Sequence, residues 1–257
     1  MRQADRLNAI MERLARDGHV AVSALSQGFG VSEASVRRDL ALLEAQRWIE
    51  RTHGGAVART APAAIPLGRH ADDRQAQRFR MAEAATAHLS TGARVGLAAG
   101  RAAGAVGRAL IDRGPRTVLT NALDVAYELS TQPDLQVVVA GGLVDRSSHG
   151  LTGPLTELAL RDRHLDVVFV SGDGLSARAG LTAEDEAVAG TTRAFAEAAE
   201  LVIATVDGDA LGRTAYARAC GLERLDVLIT DARPDPELRE RLDRAGVRVE
   251  VVQRSAP

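Results

Sequence analysis

Lysine is absent from the sequence, and all 32 of its basic residues are arginine. Chemistry that requires a lysine amine is therefore unavailable to this chain. The single cysteine, Cys220, excludes an internal disulfide framework and a cysteine-rich metal site. The six histidines lack the spacing of metal ligands, so the sequence predicts neither a metal nor a cofactor.

Long apolar segments are missing as well. No run of about 18 apolar residues occurs, which excludes a membrane-spanning helix. The first residues alternate charged and apolar side chains at helical spacing, unlike a secretory signal, so we expect a cytoplasmic protein. Hydrophobic residues make up 46% of the 257 positions, enough for packed cores in two ordinary domains or one large domain.

Charge is unevenly distributed along the chain. The net charge is −2, but residues 1–60 hold nine arginines against seven acidic residues, whereas residues 61–257 hold 23 against 27. The N-terminal segment is therefore the better candidate for binding an anionic partner.

Three short helices are predicted at the N-terminus. Gly18 ends the first helix, whose apolar face is formed by Leu7, Ile10, Met11 and Leu14. The second helix is expected to run from an N-cap at Ser23 to Phe29, and Gly30 stops it. Ser32 caps the third helix, whose buried stripe consists of Val36, Leu40 and Leu43.

A glycine-tipped hairpin is predicted to follow the helices. Its strands are Trp48–Thr52 and Ala56–Ala58, and Gly54 and Gly55 supply the positive φ angles of a tight turn. Three helices followed by such a hairpin are typical of a winged helix-turn-helix, which we assign to residues 1–58. In that fold the third helix enters the major groove of DNA.

The predicted contacts to DNA come from the start of the third helix and from the hairpin. They are Ser32, Glu33, Ser35, Arg37, Arg38, Arg51, His53 and Gly54. Arginine suits guanine or phosphate because its planar fork donates two parallel hydrogen bonds. An alternative is that Arg37 pairs with Glu33 on the helix surface, and that Arg38 beside Asp39 belongs to a solvated face.

The rest of the chain predicts an α/β domain. Residues 59–77 contain Pro62, Pro66 and Gly68 and are interpreted as a linker to a domain over 78–257. Short apolar strands then alternate with helical segments, which indicates a mostly parallel sheet covered on both faces. The strand candidates are RVGLAA, TVLTN, LQVVVAGG, DVVFVSGDG, LVIATVD, DVLITD and RVEVV. Ligands in such sheets bind beyond the carboxyl ends of the strands.

The motifs resemble those of the DeoR family of bacterial transcription regulators. The stretch VSALSQGFGVSEASVRRDLALLEAQRWIERTHGGAV is similar to the family's N-terminal signature, and TNALDVAYELS, LTGP, GLTAEDEA and DGDALGRTAYARA follow its sensor domain in order. This resemblance implies a sensor fold similar to ribose-5-phosphate isomerase, glucosamine-6-phosphate deaminase and the CoA-transferases. It also implies a repressor released by a phosphorylated sugar or related metabolite. Because operators for winged-helix proteins are usually paired half-sites, we expect a homodimer or homotetramer bound to double-stranded operator DNA.

The resemblance also implies an effector site at the sheet edge. The matching residues are Gly100, Arg101, Asn121, Gly141, Gly142, Gly153, Asp173, Gly174, Glu184, Asp185, Glu186, Asp207 and Arg213. Where the family carries Asp-Ser-Gly-Thr-Thr to hold phosphate, this chain has Ala98–Ala102, so every hydroxyl is missing. Some of these residues have a structural role as an alternative to effector binding. The acidic block 184–186 suits the first turn of a helix, and the Asp-Gly pairs at 173–174 and 207–208 suit turns.

Three functions therefore remain open. In the first, Arg101 replaces the hydroxyls as the ligand of a small anion, and the protein is an effector-controlled regulator. In the second, the sensor domain has lost its effector and serves as an oligomerisation scaffold. An isomerase-like enzyme is disfavoured by the attached DNA-binding domain and by the missing lysine and hydroxyls.

Overall fold

The chain folds as two units, divided between Gly68 and Arg69. The computed structural model describes residues 6–7, 9–10, 13–14, 18–45, 49–52, 54–58, 69–111, 113–114, 116–145 and 148–252. None of the helices within these ranges is long and apolar enough to cross a membrane.

The first unit is a small α/β domain with its own core. In chain order its elements are β1 (His19–Ala21), α1 (Val22–Phe29), α2 (Glu33–Ala45), β2 (Ile49–Thr52) and β3 (Gly55–Ala58). The strands form an antiparallel sheet in the order β1-β3-β2. Its core includes the predicted stripe, since Val36, Leu40 and Leu43 are buried against Ile10 and Leu14.

Three details of this unit differ from the sequence-based expectation. Helix α1 begins at Val22 instead of after Ser23, and its N-cap, Ala21, makes no side-chain hydrogen bond. Strand β1 is too short for an alternating pattern to reveal it. Gly55 has no positive φ; it is needed because a Cβ there would overlap the carbonyl oxygen of Val20 in β1. The predicted positions Met11, Trp48 and His53 lie outside the described residues.

The second unit contains a seven-stranded sheet in which every pairing is parallel. Its strands are β4 (Val95–Leu97), β5 (Arg116–Thr120), β6 (Leu135–Val139), β9 (Leu165–Val170), β12 (Ala199–Val206), β14 (Val227–Thr230) and β15 (Arg248–Val251). The order across the sheet is β15-β14-β12-β9-β4-β5-β6. All seven strands fall within the predicted strand candidates or start one or two residues earlier, so the predicted α/β class is confirmed.

Helices cover both faces of this sheet and bury two apolar clusters against it. They are α3 (Arg69–Thr86), α4 (Ala103–Ile111), α5 (Leu123–Ser130), α6 (Pro154–Arg161), α7 (Glu186–Glu197) and α8 (Pro236–Arg244). Helix α3 starts where the predicted linker was expected to continue to residue 77. Pro62, Pro66 and Gly68 precede it, and its first half is so polar that no apolar stripe marks it as helical.

Two small antiparallel sheets complete the unit. Strands β10 (Gly174–Ser176), β11 (Gly180–Ala183) and β13 (Ala217–Cys220) form one, and the hairpin of β7 (Leu143–Val144) and β8 (Leu151–Thr152) forms the other. Both extend from the carboxyl ends of the large sheet, where the predicted effector residues lie.

Candidate nucleic-acid interface and effector site

Helix α2 has the build of a recognition helix. Its preceding residue, Ser32, accepts a hydrogen bond from the Ser35 backbone N–H through Oγ, at 3.3 Å, which satisfies one of the unpaired donors of the first turn. Val36 and Leu40 are buried in the core, whereas Arg37 and Arg38 between them are exposed. The predicted N-cap and the predicted buried stripe are therefore confirmed.

The two arginines of this helix differ in their surroundings. Arg37 donates to the Glu33 carboxylate at 3.0 Å, as the alternative interpretation expected. Arg38 is exposed and has no side-chain hydrogen bond or ion pair within the described ranges. Its neighbour Asp39 is instead buried and accepts from Arg6 at 2.6 Å. Arg38 is thus the arginine of α2 whose guanidinium is available to a ligand.

The hairpin offers a second cationic position beside α2. Arg51 in β2 is exposed, and its guanidinium lies 3.9 Å from the Glu44 carboxylate, at the outer limit of an ion pair. Gly54 is exposed at the turn between β2 and β3, and a Cβ there would meet no atom within 4 Å.

The sequence did not predict the Arg6–Asp39 pair, because the two residues are 33 positions apart.

The loop between β4 and α4 forms one wall of the predicted effector site. Gly100 has a φ of +152°, and a Cβ there would overlap Oγ of Ser171. The backbone N–H groups of Gly100, Arg101 and Ala102 donate no hydrogen bond to any part of the chain that the structure describes. Three unpaired N–H groups just before a helix are a suitable cradle for an anion.

Arg101 and Asp173 come together at this loop. Nη2 of Arg101 donates to Oδ1 of Asp173 at 3.0 Å, and Oδ2 of Asp173 accepts from the backbone N–H of Glu184 at 3.0 Å. About half of the Arg101 side chain is exposed. The guanidinium can therefore donate to a bound anion in two ways. It can use its remaining N–H groups, or it can release Asp173 and bind the anion in its place.

Asn121 acts within the protein. Its Oδ1 accepts from the backbone N–H of Ala99 at 2.7 Å, and its Nδ2 donates to the carbonyl of Leu151 at 2.8 Å. The side chain is buried, so it ties the β4–α4 loop to β8. These bonds fix one end of the loop that carries the three unpaired N–H groups, and a direct contact of Asn121 with an effector stays a prediction.

The acidic block 184–186 is divided between two roles. Asp185 is the N-cap of α7, and its Oδ1 accepts from the backbone N–H groups of Ala187 and Val188 at 2.8 and 3.0 Å. Glu184 and Glu186 are exposed on either side of it. The helix-start interpretation therefore accounts for Asp185, and the two glutamates remain accessible.

A second arginine–carboxylate pair lies at the end of β12. Nη2 of Arg78 in α3 donates to Oδ2 of Asp207 at 2.6 Å. Arg78 was not predicted as a site residue, because its sequence neighbourhood carries no motif. Arg213 is exposed and forms no side-chain hydrogen bond or ion pair with the described residues.

The predicted glycines mostly serve close packing. A Cβ at Gly142 would overlap Oγ1 of Thr156, which itself donates to the Gly141 carbonyl at 2.6 Å. A Cβ at Gly174 would lie 2.6 Å from the carbonyl oxygen of Arg213. Gly153, with a φ of +93°, precedes α6. These positions shape the loops around the site through their backbones.

Two arginine–carboxylate pairs lie at the predicted effector site. Strands β12, β9 and β4 are neighbours in the sheet, so their carboxyl ends bring the Arg78–Asp207 and Arg101–Asp173 pairs to one edge. No group of three or more metal-binding side chains occurs among the residues that the structure describes. Backbone N–H groups and guanidinium groups at this edge can donate hydrogen bonds to an anion. Exposed carboxylates beside them can accept hydrogen bonds from hydroxyl groups.

A cavity of about 200 Å³ lies elsewhere in the second unit. Among its lining residues are Arg178, Arg218, Arg241 and Arg244, and none of the predicted effector residues. Arg241 and Arg244 stand in the last turn of α8, where positive charge stabilises a helix.

Comparison with known families identifies both units. Residues 6–61 match the model of the DeoR-like helix-turn-helix domain, and residues 73–232 match the model of the DeoR C-terminal sensor domain. The chain belongs to the DeoR family. Its first unit is accordingly the helix-turn-helix domain of a transcription regulator, and its second is a sensor domain of the DeoR type.

Relatives in the DeoR family match nearly the whole chain. The HTH-type transcriptional regulator GlpR of Haloferax volcanii is 32% identical, covering 97% of this chain and 98% of its own length. The glycerol-3-phosphate regulon repressor of Escherichia coli is 28% identical, covering 91% and 93%. Among solved structures, ribose 5-phosphate isomerase A of Methanocaldococcus jannaschii matches with 15% identity, 54% and 55% coverage and a TM-score of 0.40, which is too low to support an argument about ligands.

Proposed function

We propose that this protein is a sequence-specific repressor of carbohydrate or related metabolic genes, and that a small anion bound at Arg101 releases it from DNA. The observation that carries the proposal is the pairing of three unbonded N–H groups with a half-exposed guanidinium at the start of α4. The glycerol-3-phosphate repressor among its relatives supports a phosphorylated effector. Because its partner is DNA, we also propose that the protein acts in the cytoplasm.

The DNA-binding half of the proposal is tested with DNA from upstream of the protein's own gene. Footprinting of that fragment should reveal a protected site, and unlabelled random DNA should compete weakly. Equal competition by specific and random fragments at a stated salt concentration would contradict sequence-specific binding.

The effector half is tested by titration with glycerol 3-phosphate, ribose 5-phosphate, inorganic phosphate and sulfate while the melting temperature is followed. Ligands that bind only the folded state raise the melting temperature. Arg108→Ala is a matched control for Arg101→Ala, because Arg108 is also half exposed and also pairs with one carboxylate, Glu128, at 3.0 Å. We expect stabilisation in the wild type and in Arg108→Ala, and its loss in Arg101→Ala.

The same anion titration also tests a second candidate function. The loss of every hydroxyl from the loop favours a sensor domain that no longer binds an effector and serves as an oligomerisation scaffold. In that case none of the four anions stabilises the wild type, and none releases it from DNA.

We propose binding without catalysis. In support, the loop that would face a sugar phosphate carries no lysine and no hydroxyl, and its one charged side chain, Arg101, is a poor proton donor or acceptor because it stays protonated. Turnover of ribose 5-phosphate or glucosamine 6-phosphate above background by the purified protein would contradict this.

A further inference from the structure

One edge of the large sheet carries most of the exposed apolar side chains. Twelve large apolar side chains are exposed among the described residues, and eight of these lie between residues 123 and 158. They are Leu123, Tyr127, Val138, Val139, Leu143, Val144, Leu155 and Leu158, each 37–78% exposed. We refer to these eight as the edge patch.

Hydrogen bonds hold the segments of the edge patch together. The backbone N–H of Leu123, at the start of α5, donates to the His149 carbonyl beside β8 at 3.2 Å. The β7–β8 hairpin follows β6 directly, and Thr156 of α6 donates to the Gly141 carbonyl at 2.6 Å. The end of β6, the hairpin, α5 and α6 are therefore linked to one another at this end of the sheet.

Strand β6 is also the end of the sheet. Within the described residues it pairs only with β5, so its outer N–H and carbonyl groups have no partner strand. Soluble proteins usually protect such edges with charged residues, prolines or bulges. Here the end of the strand is Val137-Val138-Val139, with Leu143 and Val144 just beyond, so this edge lacks that protection.

From this surface we infer that β6 and the edge patch form the interface between two copies of this chain. Its size fits this partner: at roughly 100 Å² for a fully exposed aliphatic side chain, the eight side chains present on the order of 450 Å² of apolar area. That is more than half of the ~800 Å² that each partner contributes to a standard interface, and backbone atoms of the edge add to it.

The second copy is also what the proposed function requires, and the inference rests on that function to this extent. A repressor that binds paired half-sites needs two DNA-binding units related by a two-fold axis. A two-fold axis brings the same surface of both copies together. When that axis is perpendicular to β6, the two β6 strands run antiparallel, an arrangement in which edge strands can pair directly.

The test compares two double variants of the full chain by light scattering after size exclusion. Tyr127→Lys with Leu143→Lys places two charges in the edge patch. Tyr216→Lys with Val251→Lys is the matched control: the two tyrosines are 78% and 80% exposed, and Val251 lies in β15, the opposite edge strand. All four side chains are exposed, so the cores remain intact.

We expect the wild type and the control to have at least twice the mass of one chain, and the patch variant to have half the wild-type mass or less with an unchanged circular dichroism spectrum. A monomeric wild type, or a patch variant with the wild-type mass, overturns the inference. Should the patch variant not fold, hydrogen exchange of the wild type decides: the outer amides of β6 are then protected and those of β15 are not. A wild-type dimer that binds no DNA would leave this inference standing and refute the proposed function.

Discussion

At the scale of single residues, the adjacent Arg37 and Arg38 differ in whether their guanidinium groups are free to contact DNA. Arg37 is engaged with Glu33, whereas Arg38 has no side-chain partner in the described part of the chain. We predict that Arg38→Ala weakens binding to the footprinted site by about 1–3 kcal/mol if it contacts a base. Arg37→Ala should cost less, because its guanidinium already donates to the Glu33 carboxylate. Fluorescence anisotropy with specific and random DNA measures both, and equal losses for Arg38→Ala on the two DNAs would show that it contacts only phosphate.

Asp173 competes with any anion for Arg101. Its Oδ1 accepts from Arg101, while its Oδ2 accepts from the backbone N–H of Glu184. In Asp173→Asn the amide oxygen can keep the bond to Glu184 while the negative charge is removed. We therefore predict that this variant binds the stabilising anion about two- to fivefold more tightly, the size expected for one partly exposed charge. Unchanged or weaker affinity in a calorimetric titration would place the anion away from Arg101.

Cys220 should be unreactive in the folded protein. Burial raises the pKa of its thiol to about 11, with nearby arginines opposing the shift weakly. Because the thiolate is the reactive form, we predict that a thiol reagent at pH 8 labels the native chain far more slowly than the urea-unfolded chain, in which the pKa returns to about 8.5. Equal labelling rates under the two conditions would contradict the burial of Cys220.

At the scale of elements, the wing depends on Gly55. A Cβ there would overlap the carbonyl oxygen of Val20, whereas a Cβ at the neighbouring Gly54 would meet nothing within 4 Å. We predict that Gly55→Ala separates β1 from β3 and lowers the melting temperature of the first unit by several degrees, as expected for a loss of about 1–3 kcal/mol. Gly54→Ala is the matched control and should change it little. Equal melting temperatures for the two variants would argue against the β1–β3 pairing.

The elements also show how far the sequence alone could lead. The strands of the large sheet are buried on both faces, and their continuous apolar runs are visible in the sequence as DVVFV or LVIATV. Strand β1, with three residues, and β7, with two, are too short to have a period. Pairs such as Arg6–Asp39 and Arg78–Asp207 join residues 33 and 129 positions apart, and only the folded chain brings them together. The same holds for the hydrogen bonds that Asn121 forms with the backbone of Ala99 and Leu151.

At the scale of the whole molecule, the inferred self-association would strengthen DNA binding. The first unit supplies one recognition helix, and one short helix can contact only one half-site. A second copy held through the edge patch makes the binding of the second half-site intramolecular, at an effective concentration in the millimolar range for a short connection. Affinity for a paired site then depends on the spacing of the half-sites as well as on their sequence.

This dependence gives a prediction that joins both proposals. Inserting about five base pairs between the half-sites turns them to opposite faces of the DNA, because one helical turn is ~10–10.5 bp. We predict at least a tenfold loss of wild-type affinity for that site and recovery when about ten base pairs are inserted. The variant Tyr127→Lys with Leu143→Lys should bind all three spacings equally, since each monomer occupies its half-site alone, whereas Tyr216→Lys with Val251→Lys should behave as the wild type. If the edge-patch variant keeps the spacing dependence, the two copies must be joined through another surface.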